Sequence, residues 1–104
     1  MKLLTKEIKV KAQNQYDKGS DMEQMVVAKF FGGGWTWYLM NLAEDNNYAW
    51  GIVKGNAVEM GSFSMNELQE IKIPPFGMSI ERDLYFEPMK ANEVWKQLND
   101  GKHV

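Results

Sequence analysis

Three consecutive glycines, Gly32–Gly34, stand between "MEQMVVAKFF" (residues 22–31) and "WTWYLMNL" (residues 35–42). Both flanking runs carry the aromatic and branched apolar residues that fill strands, and a glycine cluster between them is a turn signal. The pattern predicts two antiparallel strands joined by a tight turn. A glycine run is also what backbone approach to a phosphate needs. No "GxxxxGK[ST]" follows, however, and the next element reads as a strand where a phosphate-binding loop needs a helix.

Further strands follow the same logic. Residues 48–54 and 57–63 read as a third and a fourth strand, separated from the second by the polar loop "AEDNN" and from each other by "KGNA". Leu42 set opposite Tyr48 puts Tyr38, Met40 and Leu42 on one face with Tyr48, Trp50 and Ile52. That face is wholly apolar and is expected to be buried. Trp35, Trp37 and Leu39 point the other way, over Gly51, Val53 and Gly55, where large aromatics shield strand positions without side chains. A two-residue turn at Gly55-Asn56 sets Glu59 on the Trp50/Ile52 face, and a three-residue loop sets it on the Trp35/Trp37 face.

Helix signals bracket this sheet. Residues 4–18 carry Leu4, Ile8, Ala12 and Tyr16 on one stripe, with Thr5 as a cap and Gly19 as a stop. Ser64 and Glu67 form an S-x-x-E capping box opening a helix over 64–72, which Pro74-Pro75 ends. Residues 79–87 read as extended. Residues 92–100 read as a last helix, with Asn92 as a possible cap and Gly101 as its end. The expected fold is a single α+β two-layer domain over residues 1–104. It has an antiparallel four- to five-stranded meander sheet, over 22–63 and the 79–87 segment, with helices packed on one face.

Composition removes several functions. There is no cysteine, so disulfides, thiolate metal sites and cysteine nucleophiles are excluded. The only histidine is His103, the penultimate residue, where chains usually fray, which argues against a histidine triad or a histidine metal cluster. No cofactor and no metal are expected. No signal-peptide pattern or membrane-spanning run is present, so the chain reads as cytoplasmic and not membrane-bound. The net charge of −2 argues against a strongly basic nucleic-acid binder. Residues 1–18 nevertheless carry five lysines against Glu7 and Asp17, so the positive charge is concentrated at the N-terminus.

The order of "MKLLTKEIKVK", "AKFFGGGWTWY", "EMGSFSMNELQEIK" and "IERDLYFEP" resembles the bacterial domain-of-unknown-function family 2958. The resemblance covers the chain from Met1 to about Val94. Its best markers are Lys29-Phe30-Phe31, Trp35-Thr36-Trp37-Tyr38, Gly61 with Phe63-Ser64, and Ile80-Glu81-Arg82-Asp83-Leu84. It implies no activity. It implies a setting on plasmids, phages and integrated conjugative elements, near DNA-processing or antirestriction genes.

Three functions remain open. The first is a non-catalytic interaction module that docks a protein partner, or a second copy, through an aromatic and Met-rich sheet face. The second is nucleic-acid binding through Trp35, Trp37 and Tyr38, with Lys2, Lys6, Lys9, Lys29 and Lys54 on one surface. The third is a carboxylate-dependent enzyme on Glu59, Glu81 and Asp83, for which these must converge. Against the third stands a structural role in which Arg82 crosses the sheet to pair with Glu59 or a helix carboxylate.

Overall fold

The computed structural model describes residues 1–104. Helix α1 (Lys6–Asn14) and a 3-10 turn (Tyr16–Lys18) lead into β1 (Met25–Val26), β2 (Ala28–Gly32), β3 (Trp35–Leu42), β4 (Tyr48–Lys54) and β5 (Val58–Ser64). Helix α2 (Met65–Glu70), β6 (Glu81–Arg82), β7 (Met89–Lys90) and helix α3 (Ala91–Asn99) complete the chain. Strands β2 to β5 form an antiparallel meander, and β6 joins outside β2, giving the order β5-β4-β3-β2-β6. β1 and β7 make a separate two-stranded ribbon. The protein is an α+β domain.

Gly33 and Gly34, at φ of 60° and 82°, form the two-residue turn that joins β2 to β3, with Gly32 paired to Trp35. Two successive positive φ values match the twist of a hairpin and are costly for residues with a Cβ. Between β4 and β5 the closing pair is Lys54 with Val58, so the loop has three residues. Glu59 therefore pairs with Val53, on the Trp37 side of an edge strand, and it is exposed.

The helices are not confined to one face, in contrast to the two-layer expectation. α1 and α2 cover a core containing Ala12, Phe30, Leu39, Ala49, Met65 and Leu68. α3 covers a second core containing Tyr38, Met40, Ile52, Val94 and Leu98. The reason lies in β3, whose residues are apolar in both parities. A sheet greasy on both faces needs cover on both.

Two irregularities reverse the side-chain alternation. β3 pairs Leu39 with Gly51 but Asn41 with Trp50, so Met40 is an extra residue. Such a bulge shifts every later side chain to the other face. Leu42 consequently pairs with Ala49 and joins the α1 core, apart from Tyr38 and Met40, while Tyr48 is left exposed. A second break at Val27 splits the expected strand 22–31. Val26 faces the α3 core, while Val27, Ala28 and Phe30 face the α1 core.

Caps explain the helix bounds. The Thr5 hydroxyl accepts from the Ile8 N–H at 3.1 Å, and the Ser64 hydroxyl accepts from the Glu67 N–H at 3.1 Å. α1 ends at Asn14 rather than residue 18, because the Gln15 side chain turns inward to bond Met25 and Met40. α3 begins at Ala91, one residue before the expected cap Asn92. Its first free N–H groups, from Ala91 and Asn92, donate to the Gln24 and Met22 carbonyls at 2.9 Å each. The Asn92 side chain instead donates to Glu23 at 3.1 Å. The expected extended segment 79–87 reduces to two strand residues, because the chain turns where Asp83 accepts the Tyr85 N–H at 2.9 Å.

Gly51 has a strict steric role. A Cβ there would run into the Tyr38 carbonyl, which is backbone and cannot swing away. Gly51→Ala is expected to cost at least about 2 kcal/mol, the order of a forced core insertion. Urea denaturation of the two proteins measures the difference.

Candidate functional site

The β2–β3 hairpin and the segment from Ile71 to Ile80 enclose an open groove of about 430 Å³. Its aromatic wall is Trp35 and Trp37, two residues apart on one face of β3. Their rings stack with centroids 6.3 Å apart and planes inclined by 23°. Trp37 is half-buried against the α1 core, while Trp35 is 44% exposed. Trp35 lies over Gly55, where an added Cβ would meet its ring. That is the aromatic-over-glycine arrangement expected from the alternation. The opposite wall is Ile71, Ile73, Pro74 and Ile80. Gly32 lets that wall close, since a Cβ there would sit 2.7 Å from Ile80 Cδ1 and 2.9 Å from Ile73 Cδ1. Lys72 is the only charged residue lining the groove.

The loop that forms this second wall also exposes Phe76 and Met78, at 86% and 57%. None of these loop residues is legible as a site from sequence periodicity. The signal present is the apolar run "IKIPPFGM", which lies outside any amphipathic repeat and has no core of its own to fill.

Tyr38 does not join Trp35 and Trp37. It follows them on the strand and so points to the other face, 2% exposed. Its ring meets Phe86 edge-on at 6.2 Å, and its hydroxyl lies 3.3 Å from the Val104 main-chain oxygen. Lys29 Nζ sits 5.8 Å from the centre of the Tyr38 ring, hydrogen-bonds Val104 O, and lies 3.5 Å from Asp83. Burial foremost, and then the negative charge of Asp83, push the Tyr38 phenol up to about 12.

The acidic residues do not converge. Glu81 and Asp83 lie at the β6 edge and Glu59 on β5, the two extremes of the five-stranded sheet. Four strand spacings separate these edges, roughly 19 Å. No three carboxylate or histidine side chains assemble where they could share a metal ion. Arg82 does not reach Glu59 or a helix carboxylate. Its guanidinium donates to the Lys2 carbonyl at 2.6 Å and the Leu3 carbonyl at 3.4 Å. Leu3, thereby held, is fully buried.

The lysines do not form one surface either. Lys2, Lys6 and Lys9 belong to the N-terminal segment and α1. Lys29 and Lys54 pair with Tyr38 and Thr36, on the opposite sheet face from Trp35 and Trp37. Lys29 is further occupied by Asp83 and Val104.

Two measurements follow from this geometry. Arg82→Ala removes charge-assisted bonds to the N-terminal backbone and is expected to cost about 1.5–3 kcal/mol, read by urea denaturation. Faster amide exchange around Leu3 would accompany it. The Tyr38 phenol has its folded pKa raised from 10.0 to about 12. Between those values the unfolded chain releases the proton and the folded chain keeps it, so stability falls as pH rises from 10 to 12. Absorbance titration is expected to show a phenol ionising near pH 12. Tyr38→Phe is expected to lose that step.

No helix is long and apolar enough to cross a membrane. No curated protein and no solved structure matches this chain. A family profile described as "Protein of unknown function (DUF2958)" does match, over residues 2–102 of 104. A match of that span takes in both cores, the groove and the Arg82 anchor together, so the chain belongs to the DUF2958 family.

Proposed function

We propose that this protein is a non-catalytic interaction module, and that the groove beside Trp35 and Trp37 takes an apolar segment of a protein partner. One observation carries this reading. A concave site of about 430 Å³ is walled by stacked indoles on one side and by Ile71, Ile73 and Pro74 on the other. Ligand sites of this volume are commonly apolar with few polar groups. Aromatic anchors in such sites supply most of an interface's affinity. Phe76 and Met78 extend the apolar rim beyond the groove, the feature that separates a recognition surface from scattered apolar residues.

A cytoplasmic, bacterial setting and a partner encoded or met by a mobile genetic element complete the proposal. What supports that part is the resemblance of the four sequence blocks. Nucleic-acid binding through Trp35 and Trp37 has less support, since Lys29 and Lys54 lie across the sheet from them.

Selection of random peptides on the immobilised protein tests the proposal. Peptides with aromatic or aliphatic anchors are expected, binding with a change in Trp fluorescence that moderate salt does not abolish. Trp35→Ala is expected to weaken them by at least about 2 kcal/mol, roughly thirtyfold in Kd. Selected peptides that bind Trp35→Ala and Ile73→Glu as well as the parent would sink the groove assignment. A fluorescence change with short DNA that disappears as salt rises would favour nucleic acid instead.

A further inference from the structure

We infer that β5 is an interface strand that pairs antiparallel with β5 of a second copy of this chain, about a two-fold axis at Gly61. The β5 edge lies two strands from β3, which carries Trp35 and Trp37, and its pairing does not depend on the groove's function.

The hydrogen-bond phase of β5 is fixed at both ends. The Gly55 N–H donates to the Ala57 carbonyl at 3.0 Å, and the Met65 N–H donates to the Asn47 carbonyl at 2.9 Å. Together with the unbroken register from Tyr48↔Ser64 to Lys54↔Val58, this turns the backbone groups of Glu59, Gly61 and Phe63 inward to β4. The N–H and C=O groups of Val58, Met60 and Ser62 therefore point outward, where no strand follows. A row of outward donors and acceptors is a template for another strand.

Proteins usually blunt such an edge with a short strand, a bulge, a proline or charged side chains, lysine above all. β5 runs seven residues with no break in register and no proline or lysine, and its single charge is Glu59. The other edge is treated differently. There β6 has only two residues, and the Arg82 side chain ties the N-terminal segment beside it.

Gly61 marks the centre. A mid-strand glycine costs roughly 0.5–1 kcal/mol relative to alanine, and nothing in the protomer asks for it. Its φ is not positive, and a Cβ there would meet no atom within 4 Å. A glycine of this kind marks close approach of another backbone.

Gly61 and the separation of the two Glu59 charges together set the self-pairing register. With the axis at Gly61, Met60 bonds Ser62 of the second copy, and Glu59 faces Phe63. The two Glu59 carboxylates are then four residues apart along the strands, roughly 13 Å. An axis at Met60 would instead make the two Glu59 diagonal neighbours, at roughly 7–8 Å. A strand edge that meets its own copy across a two-fold is antiparallel by symmetry, the pairing this edge is set up to make.

Sedimentation over micromolar to millimolar protein, with amide hydrogen exchange on the same samples, tests the inference. The mass is expected to double from the 12.0 kDa protomer as concentration rises. The Met60 and Ser62 amides are expected to slow by more than about tenfold on association. The inward Gly61 and Phe63 amides report the fold and stay protected throughout. Gly61→Lys has open space in the protomer and opposes two like charges at the axis. It is expected to keep the parent's melting curve at low concentration and remain monomeric, while Trp35→Ala dimerises like the parent. The inference is overturned by a chain that stays monomeric throughout. It is equally overturned by a dimer whose Met60 and Ser62 amides exchange freely, or by undiminished association of Gly61→Lys.

Discussion

The fold depends on how one extra residue in β3 is accommodated. The bulge at Met40 breaks the ladder and leaves main-chain groups without strand partners. Gln15 resolves this. Its side-chain amide donates to the Met40 carbonyl at 2.6 Å and the Met25 carbonyl at 2.9 Å, and its oxygen accepts the Met25 N–H at 3.0 Å. One buried amide thus closes the bulge, ends α1 and joins β1 to the central strand. Beside it, Asn41 donates to Gln24 and to the Gly19 carbonyl, both at 2.9 Å, and Gln24 donates to Gly19 and Asp21. These amides are costly to bury unless satisfied, and together they specify a single arrangement of the chain. Because the bulge reverses parity, β3 supplies Leu39 and Leu42 to one core and Tyr38 and Met40 to the other.

Features that depend on neighbours in sequence are legible without coordinates. Thr5 and Ser64 act as caps, Gly33 and Gly34 as a turn, and Trp35 shields Gly55. Each is decided within a few residues or by strict alternation. Features that depend on distant contacts are not legible. Alternation alone cannot show where a bulge resets it, so Leu42 and Tyr48 carry the wrong faces in a sequence reading. Nor can it show that α3 takes the second face of the sheet. Gln15, Gln24 and Asn41 look like ordinary surface residues in sequence, and their burial follows only from the bulge.

The candidate sites divide along the same line. Glu81-Arg82-Asp83 is the densest charged run that sequence offers, and charge density suggests chemistry. Its partners are structural and far away in sequence: two N-terminal carbonyls for Arg82, Lys29 for Asp83. Backbone acceptors have no signature in sequence, so the destination of Arg82 is not legible there. Trp35 and Trp37 behave oppositely. Their shared face and glycine partner follow from alternation, while the groove they line exists only because a loop forty residues later folds against them.

With both faces of the sheet committed to cores, this small domain retains few places to recognise anything. A one-sided sheet could offer a broad face, as the two-layer expectation supposed. Here the available surfaces are the rims. One rim carries the groove, where Gly32 lets an apolar loop approach β2. The other is β5, where outward backbone groups lie on either side of Gly61. Association through the second leaves the first unobstructed, because the outward backbone groups of β5 lie in the plane of the sheet, whereas the groove opens on the face that carries Trp35 and Trp37. A symmetric pair would therefore present two grooves on one continuous sheet. Two weak apolar contacts held on one rigid body gain effective concentration for a partner with paired binding segments. That gain compensates for the small area a single groove can bury.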